Sequence, residues 1–223
     1  MFISYKPYFF LWLFFIAQIG YSNHTSPKLL KTDICILGGS EAGFTAAIQA
    51  SRLGKEVVLI EPTGHPGGML VEGLGKDIRF GNACVIGGIA REFYIAVENH
   101  YGLEANFDDP NWYSKYEPSV AEKTIENLLA RENNITIIRK TRIKENTGVE
   151  KKGTNITKVI LENGKTIQAK MYIDASIEGH MLHFADVTTE TIREGNQKYG
   201  ETLNGVQVDN PHKQFNVDVD PYI

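Results

Sequence analysis

The sequence has little cysteine, no excess of positive charge and no long apolar run, and each shortage excludes a class of protein. Only two of its 223 residues are cysteines, which is too few for a disulfide scaffold. Lys and Arg number 23 against 27 Asp and Glu, so the formal net charge is −4. That balance argues against a general nucleic-acid binder, which needs a basic surface to neutralise phosphates. What remains is an ordinary globular composition, 42% hydrophobic and 22% charged.

Several catalytic motifs are also missing. Neither Gly-x-Ser-x-Gly nor Cys-x-x-Cys occurs, which excludes hydrolases with a nucleophile elbow and dithiol redox proteins. The histidines are too scattered along the chain to predict a metal site by their spacing. The chemistry must therefore come from other residues or from a cofactor.

The longest apolar run lies near the N-terminus, from Tyr8 to Ala17, and is too short to span a bilayer, which takes roughly 20 residues. It follows Lys6 and precedes the small-x-small pattern Gly20-Tyr21-Ser22, as in a cleaved secretory signal peptide. We therefore predict a signal peptide over residues 1–22 and a linker over residues 23–30. The mature protein is predicted to be secreted or periplasmic, without a stable membrane span after signal cleavage; an uncleaved anchor is the alternative.

Residues 31–62 have the pattern of a β-α-β unit. Two short apolar runs, Ile34–Leu37 and Val57–Ile60, predict strands buried on both faces of a parallel sheet, and an alanine-rich segment with helical spacing lies between them. A turn joins the first strand to the helix. Its sequence is Gly38-Gly39-Ser40-Glu41-Ala42-Gly43. Such a turn leaves backbone N–H groups free for an anion, and the helix dipole adds positive potential there.

The turn departs from the dinucleotide fingerprint at one position, because Ser40 stands where the second glycine is usual. Its hydroxyl is a candidate ligand for a phosphate oxygen. An acidic residue about 20 positions further on is expected to bind ribose hydroxyls, and Glu61, 18 residues after Gly43, stands at the end of the second strand. These features predict a dinucleotide site. The alternative is a β-α-β unit that binds no nucleotide, with Glu61 as a solvated charge.

The segments after Glu61 favour FAD over NAD. Pro62 to Leu70 reads PTGHPGGML, and its Gly67-Gly68 pair lets the backbone approach a flat ligand closely. Three short segments, 141–145, 157–162 and 166–169, predict an antiparallel excursion before an apolar strand at 171–175, with a type I′ hairpin turn at Asn163-Gly164. The remaining predicted elements are helices over 89–101 and 118–132 and a strand over 135–138.

Five strings of the sequence resemble a known family. They are DICILGGSEAGFTAAIQASRLGKEVVLIEPTGHPGGM, VIGGIAREFY, YEPSVAEKTIENLL, YIDASIEGH and REGNQKYGETLNGV. Over about residues 31–223 the chain resembles the FAD-dependent oxidoreductases of the glutathione-reductase-like superfamily, and more narrowly its FAD_oxidored branch. The resemblance implies an α/β fold: a Rossmann-like, doubly wound FAD-binding domain with a parallel sheet and an inserted antiparallel β-meander. Such proteins are usually longer, so residues 31–223 are expected to be an incomplete FAD-binding domain whose C-terminal substrate part is missing.

The resemblance also implies the cofactor contacts. FAD would be bound in extended form, with its pyrophosphate at Gly38 to Gly43 and its adenosine ribose at Glu61. The other implied contacts are Pro62, Gly67, Gly68 and Met69 along the ribityl chain, Arg142 and Ile143 at the adenine, and Ala175 and Ser176, which follow Asp174 and close over the nucleotide. His180 stands where the branch is expected to have Asp, and no catalytic residue is implied.

The expected function is that of an FAD-dependent oxidoreductase that takes a hydride from an unidentified small organic or sugar-like substrate and passes electrons to an unidentified acceptor. Two alternatives stay open: a truncated nucleotide-binding module without catalytic activity, and an NAD-linked dehydrogenase. Four weaker hypotheses assign a role to side chains that are more simply read as loop residues, surface charges or packing residues. They are His65 as an acid or base, Asp77 and Arg79 on the substrate side, Trp112, Tyr113 and Tyr116 as a sugar platform, and a Cys35–Cys84 disulfide.

Overall fold

The structure is a computed structural model and describes residues 29–73, 82–190 and 194–201. The predicted signal peptide lies outside the described residues. The chain divides into two compact units, Met1–Asp186 and Val187–Ile223, and the sheet and helices given below belong to the first. In the described part of the second, Lys198 forms an ion pair with Glu190. Among the described residues, no helix combines the length and the apolar character needed to cross a bilayer.

Six strands form one mixed sheet in the order β3-β2-β1-β6-β5-β4. They are β1 (Leu29–Leu37), β2 (Val57–Glu61), β3 (Ile135–Arg139), β4 (Val149–Lys152), β5 (Asn155–Ile160) and β6 (Thr166–Asp174). The pairs β1–β2, β2–β3 and β1–β6 are parallel, whereas β4–β5 and β5–β6 are antiparallel. The predicted α/β class, with a parallel sheet and an antiparallel insertion, is confirmed.

The described helices are α1 (Glu41–Arg52), α2 (Gly88–His100), α3 (Pro118–Ala130) and the short α4 (His180–Phe184). Helix α1 begins where the Ser40 side chain accepts a hydrogen bond from the Gly43 N–H, and ends before Gly54, whose φ of +72° suits a glycine. Pro118 occupies the first turn of α3, where its missing N–H has no intrahelical partner to lose. The first three helices lie within a few residues of their predicted positions, but α4 was not predicted.

Alternate residues of the central strands face two separate cores. Ile36 and Leu59 point to the face covered by α1, α2 and α3, while Cys35, Val58 and Ile60 point to the opposite face. That second face is covered by residues of the antiparallel insertion and by Met181 of α4. The continuous apolar runs in β1 and β2 follow from this two-sided burial.

The antiparallel insertion differs from the prediction in its first and last segments. Residues 141–145 form no strand and contribute only the isolated bridge between Ile143 and Leu161, with the Ile143 side chain buried in the second core. The first strand of the insertion is instead β4, whose sequence VEKK lacks the apolar alternation that would have marked it. The segments predicted at 166–169 and 171–175 are one strand, β6, since it pairs with β1 along both lengths.

The hairpin between β5 and β6 exists, but its turn is not of type I′. That type needs a positive φ at both central residues, whereas among the described residues here only Gly164 (φ +80°) is left-handed and Asn163 is not. Gly164 N–H donates to Leu161 O (3.0 Å) and Leu161 N–H donates to Lys165 O (2.8 Å). This is a three-residue loop that ends in a left-handed glycine.

The two cysteines are not paired. Cys35 is buried in β1 and Cys84 is exposed, and both are free thiols, so the alternative of a Cys35–Cys84 disulfide is wrong. Burial raises the pKa of the Cys35 thiol to about 12. Cys35 is thus a small buried hydrophobe, as its position in an apolar strand indicated.

Candidate functional site

A groove of about 380 Å³ lies at the carboxyl ends of β1, β2 and β6. The chain continues from β1 to β2 on one side and reaches β6 on the other, so this is the point where the strand order reverses and where open α/β sheets bind ligands. The predicted site residues that line the groove are Gly38, Gly39, Ser40, Glu61, Pro62, Gly68, Arg142, Ile143, Ala175 and Ser176. The predicted residues outside its lining are Glu41, Ala42, Gly43, Gly67 and Met69.

The glycine turn is packed too tightly for side chains. Gly38 has a φ of +90°, and a Cβ there would lie 2.8 Å from the carbonyl oxygen of Ala175. A Cβ on Gly43 would lie 1.8 Å from the Gly38 carbonyl oxygen, closer than any real contact. The third glycine therefore lets α1 lie against β1, as the dinucleotide fingerprint requires.

Three backbone amides at the start of α1 are available to an anion. In the described part of the chain, no acceptor is bonded to the N–H groups of Ser40, Glu41 and Ala42, which stand too early in the helix for an intrahelical partner. The preceding amide, of Gly39, donates to Glu61 Oε2 at 2.7 Å. The turn therefore combines a set of free donors with a carboxylate next to them.

The Glu61 carboxylate is 5% exposed and is held in place by hydrogen bonds. Its Oε1 accepts hydrogen bonds from the Thr63 N–H (2.6 Å) and the Thr63 hydroxyl (2.8 Å), while from the described residues Oε2 accepts only that of the Gly39 N–H. Because a carboxylate oxygen accepts two hydrogen bonds, Oε2 retains capacity for a ligand hydroxyl. Thr63 is not among the residues predicted from the sequence, although a hydroxyl residue two positions after the acid at a strand end could have indicated it.

The Gly67-Gly68 pair lies against the glycine turn. Gly67 N–H donates to Gly39 O at 2.6 Å, and a Cβ on Gly67 would lie 2.6 Å from Ile125 Cδ1 of α3. Gly67 is thus required by contacts within the protein, whereas Gly68 (φ +53°) lines the groove itself. Met69, next in the chain, is 46% exposed.

The opposite wall of the groove is the segment that follows β6. Asp174 Oδ1 accepts hydrogen bonds from the Ser176 N–H (3.0 Å) and hydroxyl (2.6 Å), and its Oδ2 accepts from the Leu182 N–H (3.0 Å). These bonds fix the path from β6 into α4. His180 and Phe184 of α4 also line the groove, so the histidine found in place of the expected Asp lies at its rim.

The groove carries more acidic than basic side chains. The carboxylates lining it are those of Glu61, Glu72, Glu145, Glu162 and Glu178, and the basic groups are Arg142, His65 and His180. Of these acids only Glu61 was predicted. An anionic ligand therefore depends on the backbone amides of the turn, because side-chain cations are few.

The weaker hypotheses have mixed outcomes. His65 lines the groove, and its Nδ1 lies 2.5 Å from Glu122 Oε1 of α3, so this ring nitrogen is engaged with a carboxylate of the protein. Asp77 and Arg79 lie outside the described residues. Tyr116 is 5% exposed with its ring 5.8 Å from that of Phe93, and the Trp112 ring lies 4.9 Å from that of Phe107, so these two rings pack within the protein, whereas Tyr113 is 47% exposed.

The described residues contain no group of three or more side chains arranged to hold a metal ion. The parallel sheet, the glycine turn with its free amides and the carboxylate across from it define a dinucleotide-binding α/β protein. The model of one protein family, FAD dependent oxidoreductase, matches residues 33–222. The chain therefore belongs to the FAD dependent oxidoreductase family, and FAD is the cofactor of that family. No curated protein matches the chain.

Solved structures share the fold at low sequence identity. An L-proline dehydrogenase from P. horikoshii has a TM-score of 0.55 and 15% identity, over 75% of this chain and 59% of that one. An L-amino acid deaminase from Proteus vulgaris has a TM-score of 0.53 and 12% identity, over 78% of this chain and 54% of that one. The chain thus spans between half and three fifths of the length of these proteins.

Proposed function

We propose that the groove binds FAD and that the chain is the FAD-binding part of an oxidoreductase. The observation that carries the proposal is the juxtaposition of the free Ser40, Glu41 and Ala42 amides with the Glu61 carboxylate. The amides fit the pyrophosphate, which is anionic, and Glu61 Oε2 fits a ribose hydroxyl, which is a donor. A carboxylate at this position disfavours a 2′-phosphate and so argues against an NADP-type ligand.

Other residues of the groove have complementary places in the proposal. Arg142 and Ile143 would lie beside the adenine, and Ala175 and Ser176 would close over the nucleotide. Pro62 and Gly68 line the groove and would lead from the ribose toward the flavin, whereas Gly67 and Met69, outside the lining, would only shape that path. When bound, FAD supplies a hydride acceptor, which no side chain of the groove can provide. The proposed substrate is a small organic molecule with an oxidisable C–H bond, and the reduced cofactor passes its electrons to a separate acceptor.

A second candidate is a nucleotide-binding module without catalytic activity. The free amides and the Glu61 carboxylate account for this candidate equally well, since binding a nucleotide needs no catalytic side chain. The secreted or periplasmic localisation also stays a prediction, and it rests on the apolar run in residues 1–22 alone.

The first experiment asks whether the full chain binds FAD and whether Glu61 is responsible. The purified chain is expected to be yellow, with the absorption bands of bound flavin, or to acquire them when the apoprotein is titrated with FAD but not with NAD. Glu61→Gln removes the charge next to the ribose, and hydrogen bonds to a charged group contribute about 1.5–3 kcal/mol, so FAD should bind roughly 10- to 150-fold more weakly. Glu104→Gln, in an exposed loop, is the matched control and should bind as the wild type does.

Unchanged FAD affinity in Glu61→Gln, with the fold intact by circular dichroism, would contradict the proposed site. Binding of NAD in place of FAD would contradict the proposed cofactor. The loaded chain is then mixed anaerobically with amino acids, hydroxy acids and sugars. Bleaching of the flavin bands by one of them supports the oxidoreductase, while stable bands with all of them favour the binding module.

A further inference from the structure

We propose that Ser40 is a positioning residue whose hydroxyl fastens the far wall of the groove to the glycine turn, instead of binding a phosphate oxygen. The inference deepens the proposed function, on which its statement about FAD rests. Ser40 is the one residue of the turn that departs from the dinucleotide fingerprint, and its hydroxyl would then have a structural role.

The hydrogen bonds of Ser40 carry the inference. Its Oγ donates to the carbonyl oxygen of Ala175 at 2.7 Å and accepts a longer bond from the Gly43 N–H at 3.3 Å. A serine hydroxyl has one proton, so it cannot donate to Ala175 and to a phosphate oxygen at the same time. A phosphate ligand role would require the bond to Ala175 to break.

Ala175 is fixed from both sides by this arrangement. Its N–H donates to Leu37 O at 2.8 Å, and its carbonyl accepts from Ser40, so the peptide groups on either side of the residue are tied to the β1–α1 connection. The packing agrees, because a Cβ on Gly38 would overlap the Ala175 carbonyl. The carbonyl is therefore held at the mouth of the groove, directly before Ser176.

As a consequence, the part of the groove proposed to hold the adenosine is already formed before the ligand binds. Residues 40 and 175 come from opposite walls of the groove, and the bond between them adds to the β1–β6 pairing in setting how far apart those walls lie. Without it, the Ala175–Ser176 wall must be ordered when the ligand binds, and that ordering costs affinity for every ligand that uses this wall. Loss of the Ser40 hydroxyl should then weaken the binding of adenosine and of ADP equally. If the hydroxyl bound a phosphate oxygen instead, its loss would weaken the binding of ADP alone.

The test compares Ser40→Ala with Ser40→Thr, which keeps the hydroxyl. One neutral hydrogen bond contributes about 0.5–1.5 kcal/mol, so Ser40→Ala should weaken adenosine, ADP and FAD alike by roughly 2- to 13-fold. Ser40→Thr should restore affinity for all three ligands. Loss of affinity for ADP and FAD with adenosine unchanged would overturn the proposal and make Ser40 a phosphate ligand.

Amide hydrogen exchange without ligand provides a readout that does not depend on FAD binding. In Ser40→Ala, exchange should become faster at residues 175–183, and Ser40→Thr should restore the wild-type rates. Ser40→Asp separates this effect from the cap of α1, because aspartate still accepts from the helix N–H groups but cannot donate to Ala175. It should therefore speed exchange at residues 175–183 while leaving α1 protected.

Wild-type exchange rates at residues 175–183 in Ser40→Ala would also overturn the proposal. A wild-type chain that binds none of the three ligands would contradict the proposed function, but the exchange measurement would still decide the role of Ser40. The two failures are thus distinguishable.

Discussion

The β-α-β unit and residues of the antiparallel insertion both line the groove, and the two regions differ in how much of their strands is covered. In the first, Ile36 and Leu59 are fully buried beneath three helices. In the second, the β4 residues after Val149 are exposed, and β5 pairs with β6 at only two register positions. The turn proposed to bind the pyrophosphate therefore rests on the core beneath three helices, while Arg142 and Ile143 adjoin the second core, whose outer strand β4 is exposed.

Two glycine substitutions, one in each region, should show the largest difference in the loss of stability. In Gly43→Ala the new Cβ would lie 1.8 Å from a backbone carbonyl, so we expect loss of the folded state. Gly153, in the β4–β5 hairpin, has a φ of +63° and open space around it, so Gly153→Ala should cost only about 1 kcal/mol. Circular dichroism with urea unfolding measures both. A folded, stable Gly43→Ala would contradict the packing described for the turn.

Two buried leucines offer a comparison at constant chemistry. Leu59 in β2 and Leu161 in the insertion are 0% and 1% exposed. Leucine-to-alanine changes in cores cost about 2–5 kcal/mol, and the cost is larger where the surroundings cannot collapse. We expect Leu59→Ala near the upper end of that range and Leu161→Ala near the lower end, measured as free energies of unfolding in urea. Equal or reversed values would show that the two cores are equally rigid.

The smallest expected effects come from surface ion pairs. Arg52 of α1 donates to Glu92 of α2 (2.6 Å) and to Glu132 beyond α3 (2.9 Å), whereas Lys158 and Glu150 (2.9 Å) join two strands of the insertion. Arg52→Met should destabilise by about 0.5–1 kcal/mol and Lys158→Met by less, because exposed pairs are screened and a three-member network is better ordered. A larger loss in Lys158→Met would contradict this order.

The Arg52 network also predicts a pH dependence. Hydrogen bonds from Arg52 hold the pKa of Glu92 below its ordinary value of 4.5. A lowered carboxyl pKa stabilises the folded state above the ordinary value, and the contribution is lost as the pH falls through the lowered pKa. The stability difference between wild type and Arg52→Met should therefore be constant near neutrality and shrink below about pH 4.5. A difference that grows on acidification would contradict the assignment.

Local patterns predicted the β-α-β unit well. The path from Ile34 to Glu61 depends on residues close in sequence: apolar runs, an alanine-rich helix and glycines that sterics require at fixed points. Periodicity could not locate β4, because its side chains are mostly solvated and its position is set by pairing with β5. Helix α4 could not be predicted from periodicity either, because it has only five residues. It is held in part by a hydrogen bond from the Leu182 N–H to Asp174, which lies outside the helix.

The candidate site was predictable to the same extent and for the same reason. The glycine turn and Glu61 are separated by a single β-α-β unit, and their meeting follows from its known geometry. The link between Ser40 and Ala175 joins residues 135 positions apart, and the pairing of His65 with Glu122 joins residues 57 apart. Nothing in a local pattern specifies such contacts, which depend on how the completed sheet brings the segments together.

The bond between Ser40 and Ala175 has a consequence for the order of events during synthesis. Because a nascent chain emerges N-terminus first, the amides of the turn and Glu61 leave the ribosome long before the segment that closes the groove. In the proposed site, the coenzyme would therefore be captured in full only after β6 has taken its place beside β1. Cofactor loading at that site would then be a late step of biogenesis, and a product interrupted before residue 176 would carry the fingerprint yet remain colourless.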